Sequence, residues 1–344
     1  MRVLHIAYQQ LRRYGHNRVS WAHKLTLGLI KNDHAVQVFS DRDVAAFEAP
    51  FGIRDLGKKA ANRRLLDTAD AFEPDLVIAG HCDIISNATL RALRRRHPAV
   101  VIVHCNNDPL FVPSNVARIR HRCDAVDAVF VSTGAHELQQ FADTGVPCYH
   151  MPNPVDPSIE TLDNSLLSDL PVDLLFCSNS NEYTERLQMV KRLKAELHGE
   201  VNVKTHGSFG EAPVWGRDYD RALAVSRMGL NLNRQEGHHW YSSARMAQLA
   251  GNGILTFTHA SPRFDQLFPP ESLVYFADEV ELLRLIREFH YDDARRQVWA
   301  GRARRFFHRH LNTRCYAQYI VEAAMGLPFS QDYVWAKPVA VGKP

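Results

Sequence analysis

The stretch LNLNRQEGHHWYSSARMAQLAGNGILTFT, Leu230 to Thr258, decides the fold of this chain. A short apolar strand ending at Leu232 runs into a polar, glycine-containing loop, and Ser242 and Ser243 are typical N-caps for the helix that follows. Two glycines then end that helix, and a buried strand starts at Ile254. The pattern predicts a βαβ unit whose loop opens at the carboxyl end of the first strand. Open α/β sheets bind ligands there, and the free N–H groups of a first helical turn favour an anion, most often a phosphate.

The same alternation of strand and helix patterns extends along the whole chain and predicts an α/β protein with two doubly wound parallel sheets. The proline-rich segment Pro152–Pro157 interrupts both periodicities, which places a domain boundary between about Asn153 and Leu170. The predicted domains are residues 1–160 and 170–326, followed by a tail, 327–344. We also expect an irregular segment at residues 41–57 and a helix from Gly134 to about Ala142.

Size and composition fit a globular protein of two domains. The chain has 344 residues, of which 45% are apolar and 23% charged. It contains no run of about 18 apolar residues that would span a membrane. The N-terminal sequence MRVLHIAYQQ resembles a buried strand more than a signal peptide. A cytoplasmic location is therefore expected.

Several function classes are disfavoured by what the sequence lacks. Six cysteines without a CxxC pair indicate reduced thiols, and eighteen histidines without an HExxH motif give no basis for a metal site. A net charge of only +3 argues against a nucleic-acid partner. Without GxxxxGK[ST], GxGxxG after the first strand, or GxSxG, kinases, nicotinamide enzymes and hydrolases are disfavoured.

Basic residues cluster in two places, and two interpretations stay open for them. The clusters are either solvated helix faces or a docking surface for anionic lipid or a charged glycan acceptor. On the second interpretation the protein would sit peripherally at the inner face of a membrane. The residues are Arg94, Arg95 and Arg96, and Arg302, Arg304, Arg305, His308 and Arg309.

Arg245, followed by MAQLAGNG and an apolar strand, resembles the nucleotide-sugar motif of group 1 glycosyltransferases with the two-domain GT-B fold. The most similar branch is the CgeB-like one, whose pattern is R-x-x-E-x-x-x-x-G before an apolar strand. Segments Pro262–Phe268 and Leu273–Asp278, with a helix from Glu279, resemble the closing section of the same family. Gln248 stands where the family has a glutamate for the ribose hydroxyls of the donor, so hydrogen bonding is retained but the charge is not.

This resemblance implies two Rossmann-like domains facing across a cleft. The second domain would hold a nucleotide-diphosphate sugar, and the first the acceptor, which is a surface glycan, a lipid-linked sugar or a small molecule. No cofactor is implied, since the nucleotide sugar is a co-substrate, and members without metal stabilise the departing diphosphate with backbone amides and cationic side chains. The family also implies a C-terminal tail packed on the first domain.

Four residues of the central unit are predicted to bind the donor diphosphate. A guanidinium matches two phosphate oxygens at once, and the helix start supplies N–H donors. The alternative is that the serines only cap the helix and the arginine of the motif lies in solvent. These four residues are Ser242, Ser243, Arg245 and Arg234.

Other donor-side candidates surround them. Gln248, one turn after Arg245, reaches the ribose, and Glu236 is the alternative carboxylate for ribose or sugar hydroxyls. His238 contacts the sugar or the diphosphate. Ser178 and Asn179 line the diphosphate pocket unless they only cap a helix, and Gly207 wraps the base unless it only makes a tight turn.

The first half offers polar loops at strand carboxyl ends, where a general base for an inverting transfer would lie. Asp83 and His81 are the first choices, with His16 and Asp108 next. Carboxylates in such loops often cap helices instead, and a retaining transfer needs no such base. Two other functions stay open: a nucleotide-sugar epimerase of the same fold, and a non-catalytic glycan- or nucleotide-binding module.

Overall fold

The computed structural model describes residues 1–11, 20–179 and 184–336. By their contacts these residues divide into two compact units. The first comprises Met1–Pro152 and the residues from Thr313 onward, and the second comprises Asn153–Asn312. The second unit thus ends at Asn312, earlier in the chain than the predicted residue 326, because the last helix belongs to the first unit.

The first unit contains a six-stranded parallel sheet in the order β2-β1-β3-β4-β5-β6. Its four inner strands are buried on both faces except at the first residue of two of them, and accordingly read as mostly apolar runs, whereas the two edge strands are partly exposed. The strands are β1 Arg2–Ile6, β2 Ala35–Phe39, β3 Leu76–Ala79, β4 Val101–Asn106, β5 Ala128–Val131 and β6 Cys148–His150. The helices are α1 Trp21–Lys31, α2 Asp41–Phe47, α3 Lys58–Phe72, α4 Asn87–Arg96 and α5 Pro113–Cys123.

The second unit contains a five-stranded parallel sheet in the order β11-β10-β9-β7-β8. Its strands are β7 Val172–Cys177, β8 Val203–His206, β9 Ser226–Asn231, β10 Leu255–His259 and β11 Val274–Phe276. Its helices are α6 Glu185–Glu196, α7 Arg217–Ala224, α8 Ala244–Gly251, α9 Glu279–Tyr291 and α10 Asp293–His310. The central stretch is β9, a loop, α8 and β10, which is the predicted βαβ unit.

The last helix, α11 Thr313–Met325, packs on α1. Gly28 makes this approach possible, because a Cβ at that position would lie 2.1 Å from the carbonyl oxygen of Thr313. The hydroxyl of Tyr316 accepts a hydrogen bond from Trp21 and lies 2.9 Å from the sulfur of Met151. Farther along, Tyr333 and Trp335 are buried against Tyr319.

Two segments differ from the prediction. Residues 41–57 were expected to be irregular, but they contain α2 and two short 3₁₀ turns, Pro50–Gly52 and Arg54–Gly57. Asp41 and Asp43 lie in the first turn of α2, where carboxylates are favoured by the helix dipole. The segment Ala135–Thr144 forms 3₁₀ turns instead of an α-helix. In the described part of the chain, no helix is long and apolar enough to cross a membrane.

Candidate functional site

The start of α8 is tied to the carboxyl edge of the second sheet by Asn231, the last residue of β9. The Asn231 side-chain nitrogen donates to the hydroxyl of Ser242 (3.2 Å) and to that of Thr258 (3.1 Å). The Ser242 hydroxyl is buried and donates in turn to the carbonyl of Ser243. Ser243 is the N-cap, yet its side chain makes no capping hydrogen bond. Ser242 therefore positions the loop, and the N–H groups at the start of α8 are not capped by the side chain of Ser243.

Arg245 lies across the ends of two strands. Its Nε donates to the carbonyl of Cys177, the end of β7, at 2.8 Å, and its Nη1 donates to the carbonyl of Leu232, just after β9, at 3.1 Å. The guanidinium stacks over the ring of Phe176, and burial lowers the pKa of Arg245 from its ordinary value. Among the described residues, Nη2 has no hydrogen-bond partner. The side chain is thus held at the carboxyl edge with one amino group left to bind a ligand.

Arg186 is a second cation at this edge that the sequence analysis missed. Its Nη1 donates to the carbonyl of Leu232 at 3.3 Å, so this one oxygen accepts from two arginines. Burial and the neighbouring charges of Arg245 and Arg234 lower the pKa of Arg186 to about 10. Three guanidinium groups therefore lie close together with their repulsion only partly relieved by Glu236.

One feature of the sequence would have identified this pair. Arg186 and Arg245 both lie in the first turn of a helix, α6 and α8 respectively. The helix dipole disfavours a cation at that end, so an arginine there needs a compensating anion. A cation in such an unfavourable position is more typical of a binding site than of a residue that only stabilises the fold.

The predicted carboxylate and amide of the donor site have partners within the protein. Glu236 closes the turn after β9, because both of its oxygens accept from Asn233, at 2.8 Å and 3.0 Å. Gln248 accepts a hydrogen bond from the hydroxyl of Tyr219 at 2.8 Å. Burial raises the pKa of Tyr219, so this phenol stays a neutral donor. His238 lies half-buried in the same loop as Glu236.

The loops after β7 and β8 touch each other, which brings Ser178 and Gly207 together. Ser178 donates its backbone N–H to the carbonyl of His206 (2.9 Å) and its hydroxyl to that of Gly207 (3.3 Å). Gly207 has a φ of +69°, and a Cβ there would lie 1.8 Å from the carbonyl oxygen of Ser178. Close packing thus accounts for the glycine. Asn179 follows with its side chain exposed.

In the first unit, two of the four predicted bases meet at the carboxyl ends of β3 and β4. Nδ1 of His81 lies 3.6 Å from a carboxylate oxygen of Asp108, and its Nε2 lies 2.7 Å from the side-chain oxygen of Asn107. Asp108 also accepts from Arg118 at 2.9 Å. Asp83 instead accepts from Nε of Arg42 at 2.7 Å. His16 lies outside the described residues.

His81 lines two cavities of the first unit, of about 410 Å³ and about 260 Å³. Asp108 lines only the smaller of the two. Beneath them lies Asp41, whose pKa is raised to about 7 by burial and by the charge of Asp83. Asp41 is fully buried and accepts from the N–H of Ile84, so it acts on the site only through its neighbours.

No group of three or more histidine, cysteine, aspartate or glutamate side chains suited to a metal occurs in residues 1–11, 20–179 and 184–336. The carboxyl edge of the second sheet presents the arginines, N–H groups and hydroxyls described above. Metal independence stays a prediction.

One sequence family matches part of the chain. Residues 184–322 match a sequence family described as "Glycosyl transferase-like". This segment begins just before Arg186 and includes Arg245. A comparison with curated protein sequences gives no match. The CgeB-like branch stays a prediction.

Several solved structures share the fold. HepE of Anabaena, solved with UDP and glucose, is 14% identical, covers 95% of this chain and 100% of its own, and has a TM-score of 0.56. Sucrose-phosphate synthase of Thermosynechococcus elongatus is 10% identical over 95% of this chain and 98% of its own, with a TM-score of 0.61. A UDP-N-acetylglucosamine 2-epimerase is 12% identical over 96% and 99%, with a TM-score of 0.51. The predicted pair of Rossmann-like domains of the GT-B type is confirmed.

Proposed function

We propose that this protein is a glycosyltransferase that moves a sugar from a nucleoside-diphosphate donor to an acceptor. The observation that carries the proposal is the pair Arg186 and Arg245, which converge on one carbonyl oxygen at the carboxyl edge of the second sheet. A departing diphosphate is the ligand whose charge grows during the reaction, and preorganised cations stabilise such charge most strongly. The family-matched segment, residues 184–322, contains both arginines.

The chemistry proposed for the donor side needs no metal. Arg245 offers Nη2 to one phosphate, Arg186 stands beside it, and the N–H groups at the start of α8 donate hydrogen bonds to the remaining phosphate oxygens. On the acceptor side we assign the proton acceptor of an inverting transfer to the His81–Asp108 pair; His81 lines both cavities of the first unit, and Asp108 lines the smaller one. Gln248 and Glu236 remain proposed for hydroxyl groups of the ribose or the sugar.

Nucleotide titration tests this proposal. We expect UDP or another nucleoside diphosphate to raise the melting temperature of the protein, because a ligand that binds only the folded state stabilises it by about 2.7 kcal/mol at a hundred times its Kd. UDP, GDP, TDP and CMP compounds should be compared, starting with UDP because HepE was solved with it. The matching nucleosides serve as controls for contacts to the base. If no diphosphate stabilises the protein more than its nucleoside does, the proposed donor site is wrong.

Incubation with the nucleotide sugar and analysis of the products separate the rival functions. An epimerase converts the donor sugar without an acceptor, so incubation with donor alone and analysis of the sugar would reveal a new epimer. A non-catalytic module would bind the donor and leave it unchanged with every acceptor. A transferase releases the nucleoside diphosphate faster when the acceptor is added.

We propose that the predicted membrane contact is made by a surface other than the two basic clusters. Arg94 of the first cluster pairs with Asp127, and in the second cluster Arg302 pairs with Glu271 and Arg304 with Asp163. These ion pairs neutralise much of the charge of both clusters. The clusters are therefore better explained as solvated helix faces.

The better candidate is an apolar surface formed by four exposed side chains between α2 and α3. Phe51 is 97% exposed, and three exposed basic residues without an ion pair among the described residues lie close by in the sequence. Exposed aromatic groups next to cations fit an anionic bilayer, where each cation contributes about 1 kcal/mol. The apolar residues are Phe47, Phe51, Ile53 and Leu56, and the basic ones are Arg54, Lys59 and Arg63.

Vesicle flotation tests this contact. The protein is expected to float with vesicles that contain phosphatidylglycerol and not with neutral phosphatidylcholine vesicles, because both charge and apolar contact are required. The double variant Phe47→Ser/Phe51→Ser should lose most of the binding. Val280→Ser removes an equally exposed apolar residue from α9 and should change nothing. Equal flotation of the double variant and the unchanged protein would rule out this surface.

A further inference from the structure

The 410 Å³ cavity of the first unit lies at the carboxyl ends of β3 and β4 and has a volume typical of small-molecule sites. One wall is the loop after β3, and the opposite wall is a single face of α5, since its four lining residues are spaced i, i+1, i+4 and i+5. Those α5 residues are Ala117, Arg118, His121 and Arg122.

The lining of this cavity is rich in basic side chains. It includes three arginines and three histidines, but only one carboxylate, Asp83, which is paired with Arg42 at 2.7 Å. Arg118, at the rim, is half-exposed and pairs with Asp108, which lies outside the lining. The guanidinium without a counter-ion is therefore that of Arg122.

Arg122 is only 9% exposed, and its hydrogen bonds all go to neutral oxygens. Nη1 donates to the side chain of Asn87 at 2.9 Å, and Nη2 donates to the carbonyls of Cys82 (3.3 Å) and Ile85 (3.1 Å). No carboxylate among the described residues forms an ion pair with it. Burying a cation without a counter-charge costs several kcal/mol, so the folded protein gains if an anion enters the cavity.

The neighbouring histidine responds to this positive potential. His104 is buried at the cavity, and burial, with the charge of Arg122 second, lowers its pKa to about 3. It is therefore neutral, with Nδ1 at 2.8 Å from the carbonyl oxygen of Ala79. His104 adds no charge of its own and leaves the guanidinium of Arg122 as the buried charge that a ligand would meet.

We infer that this cavity binds the anionic group of the acceptor, a phosphate or a carboxylate, with Arg122 as its counter-ion and Arg118 at the rim. This inference rests on the proposed transferase function and narrows its acceptor to a charged molecule. The contacts above leave the Nε hydrogen and one Nη1 hydrogen of Arg122 to donate to either group, and its charge attracts both. The adjoining His81–Asp108 pair would then face the acceptor hydroxyl while the charge of the acceptor fixes its orientation.

Calorimetric titration of the full chain, without donor, tests the inference. The probes are a hexose 6-phosphate, a hexuronic acid and the neutral hexose, and the first two distinguish phosphate from carboxylate. We expect at least one charged probe to bind at least tenfold more tightly than the neutral sugar, which corresponds to about 1.4 kcal/mol. Equal affinity for charged and neutral probes would overturn the inference.

Substitutions locate the bound anion. Arg122→Gln should weaken binding of the charged probe at least tenfold, but it also removes donors from the carbonyls of Cys82 and Ile85. Arg118 is exposed and makes none of these contacts, so the Arg118→Gln variant should fold normally. It should weaken binding about fivefold, as expected for a rim cation. Arg95→Gln on α4 is the matched control, exposed and outside the cavity, and should leave affinity unchanged.

Two further outcomes separate this inference from the proposed function. If the charged probe binds as expected but no nucleotide stabilises the protein, the cavity stands and the transferase proposal fails. If nucleotides bind while the affinity for the charged probe is unchanged in Arg118→Gln and Arg122→Gln, the cavity alone is refuted. Loss of probe binding in Arg245→Ala instead would show that the anion occupies the donor site.

Discussion

Arg245→Ala is expected to lower kcat/KM for the sugar donor at least tenfold, equivalent to about 1.4 kcal/mol of transition-state stabilisation. The guanidinium is held by the carbonyls of Cys177 and Leu232, so its Nη2 group is aimed before the donor arrives. Preorganised donors cost no reorganisation as charge develops on the leaving diphosphate, and the effect should therefore appear in kcat as well as in KM. Steady-state kinetics at several donor concentrations would measure both.

The controls for this variant separate catalysis from folding. Removing the side chain takes this donor from the carbonyl of Cys177, while the carbonyl of Leu232 still accepts from Arg186. A carbonyl left unsatisfied costs about 1–3 kcal/mol. Denaturation of the variant must therefore accompany the kinetics. Arg245→Lys keeps the charge without the fork and should recover part of the rate. Arg221→Ala, which removes an exposed arginine on α7 that pairs with Asp218, is the matched control and should be fully active. An unchanged rate in Arg245→Ala would remove this residue from the proposed site.

A double variant of Arg186 and Arg245 tests whether the two arginines bind the same group. If Arg186 and Arg245 hold the same diphosphate, the double variant should lose less than the sum of the two single losses. Additive losses would indicate two separate roles for the arginines.

Gly207→Ala is expected to lower the free energy of unfolding by about 3 kcal/mol or more. Two costs combine: the left-handed backbone, about 1–2 kcal/mol for a residue with a side chain, and overpacking, about 1–3 kcal/mol. The overlap is severe because the new Cβ would meet a backbone carbonyl, that of Ser178, at 1.8 Å. The loops after β7 and β8 would have to separate, and nucleotide binding should weaken with them. Urea denaturation and nucleotide titration would measure the two effects.

Gly210 provides a matched control three residues later in the same loop. Its φ is +80°, close to the +69° of Gly207, but nothing lies within 4 Å of the added Cβ. Gly210→Ala should therefore cost only the backbone term, about 1–2 kcal/mol. If both variants lose the same stability, the contact between Ser178 and Gly207 does not hold the loops together.

The sequence predicted the fold well because the signals it used are local. Alternating apolar strands and capped helices predicted parallel sheets, and the glycines after α8 predicted the return into β10. The helix start after Ser243 was also predicted, since N-cap residues act within a few positions of the chain. Residues 41–57 were predicted incorrectly because the apolar pattern is weak there, while the acidic first turn of α2 stabilises a helix.

The site was predicted less completely because its contacts are distant in sequence. Arg245 was identified, but its partner carbonyl at Cys177 is 68 residues away. Glu236 was considered as a ligand for hydroxyl groups, whereas both of its oxygens accept from Asn233. Arg122 went unnoticed, since an arginine within α5 has the pattern of a solvated helix face until its neighbours are known.

By itself the sequence determined the order of strands and helices, the βαβ unit at its centre and the arginine at the start of α8. These follow from backbone preferences and from the spacing of apolar residues, which act over one or two turns of the chain. Only the tertiary structure decided that α11 packs with α1, that Arg186 joins Arg245 on one carbonyl oxygen, and that Arg122 is buried without a carboxylate. Burial and electrostatic pairing depend on which distant segments meet, and that is set by packing of the whole domain.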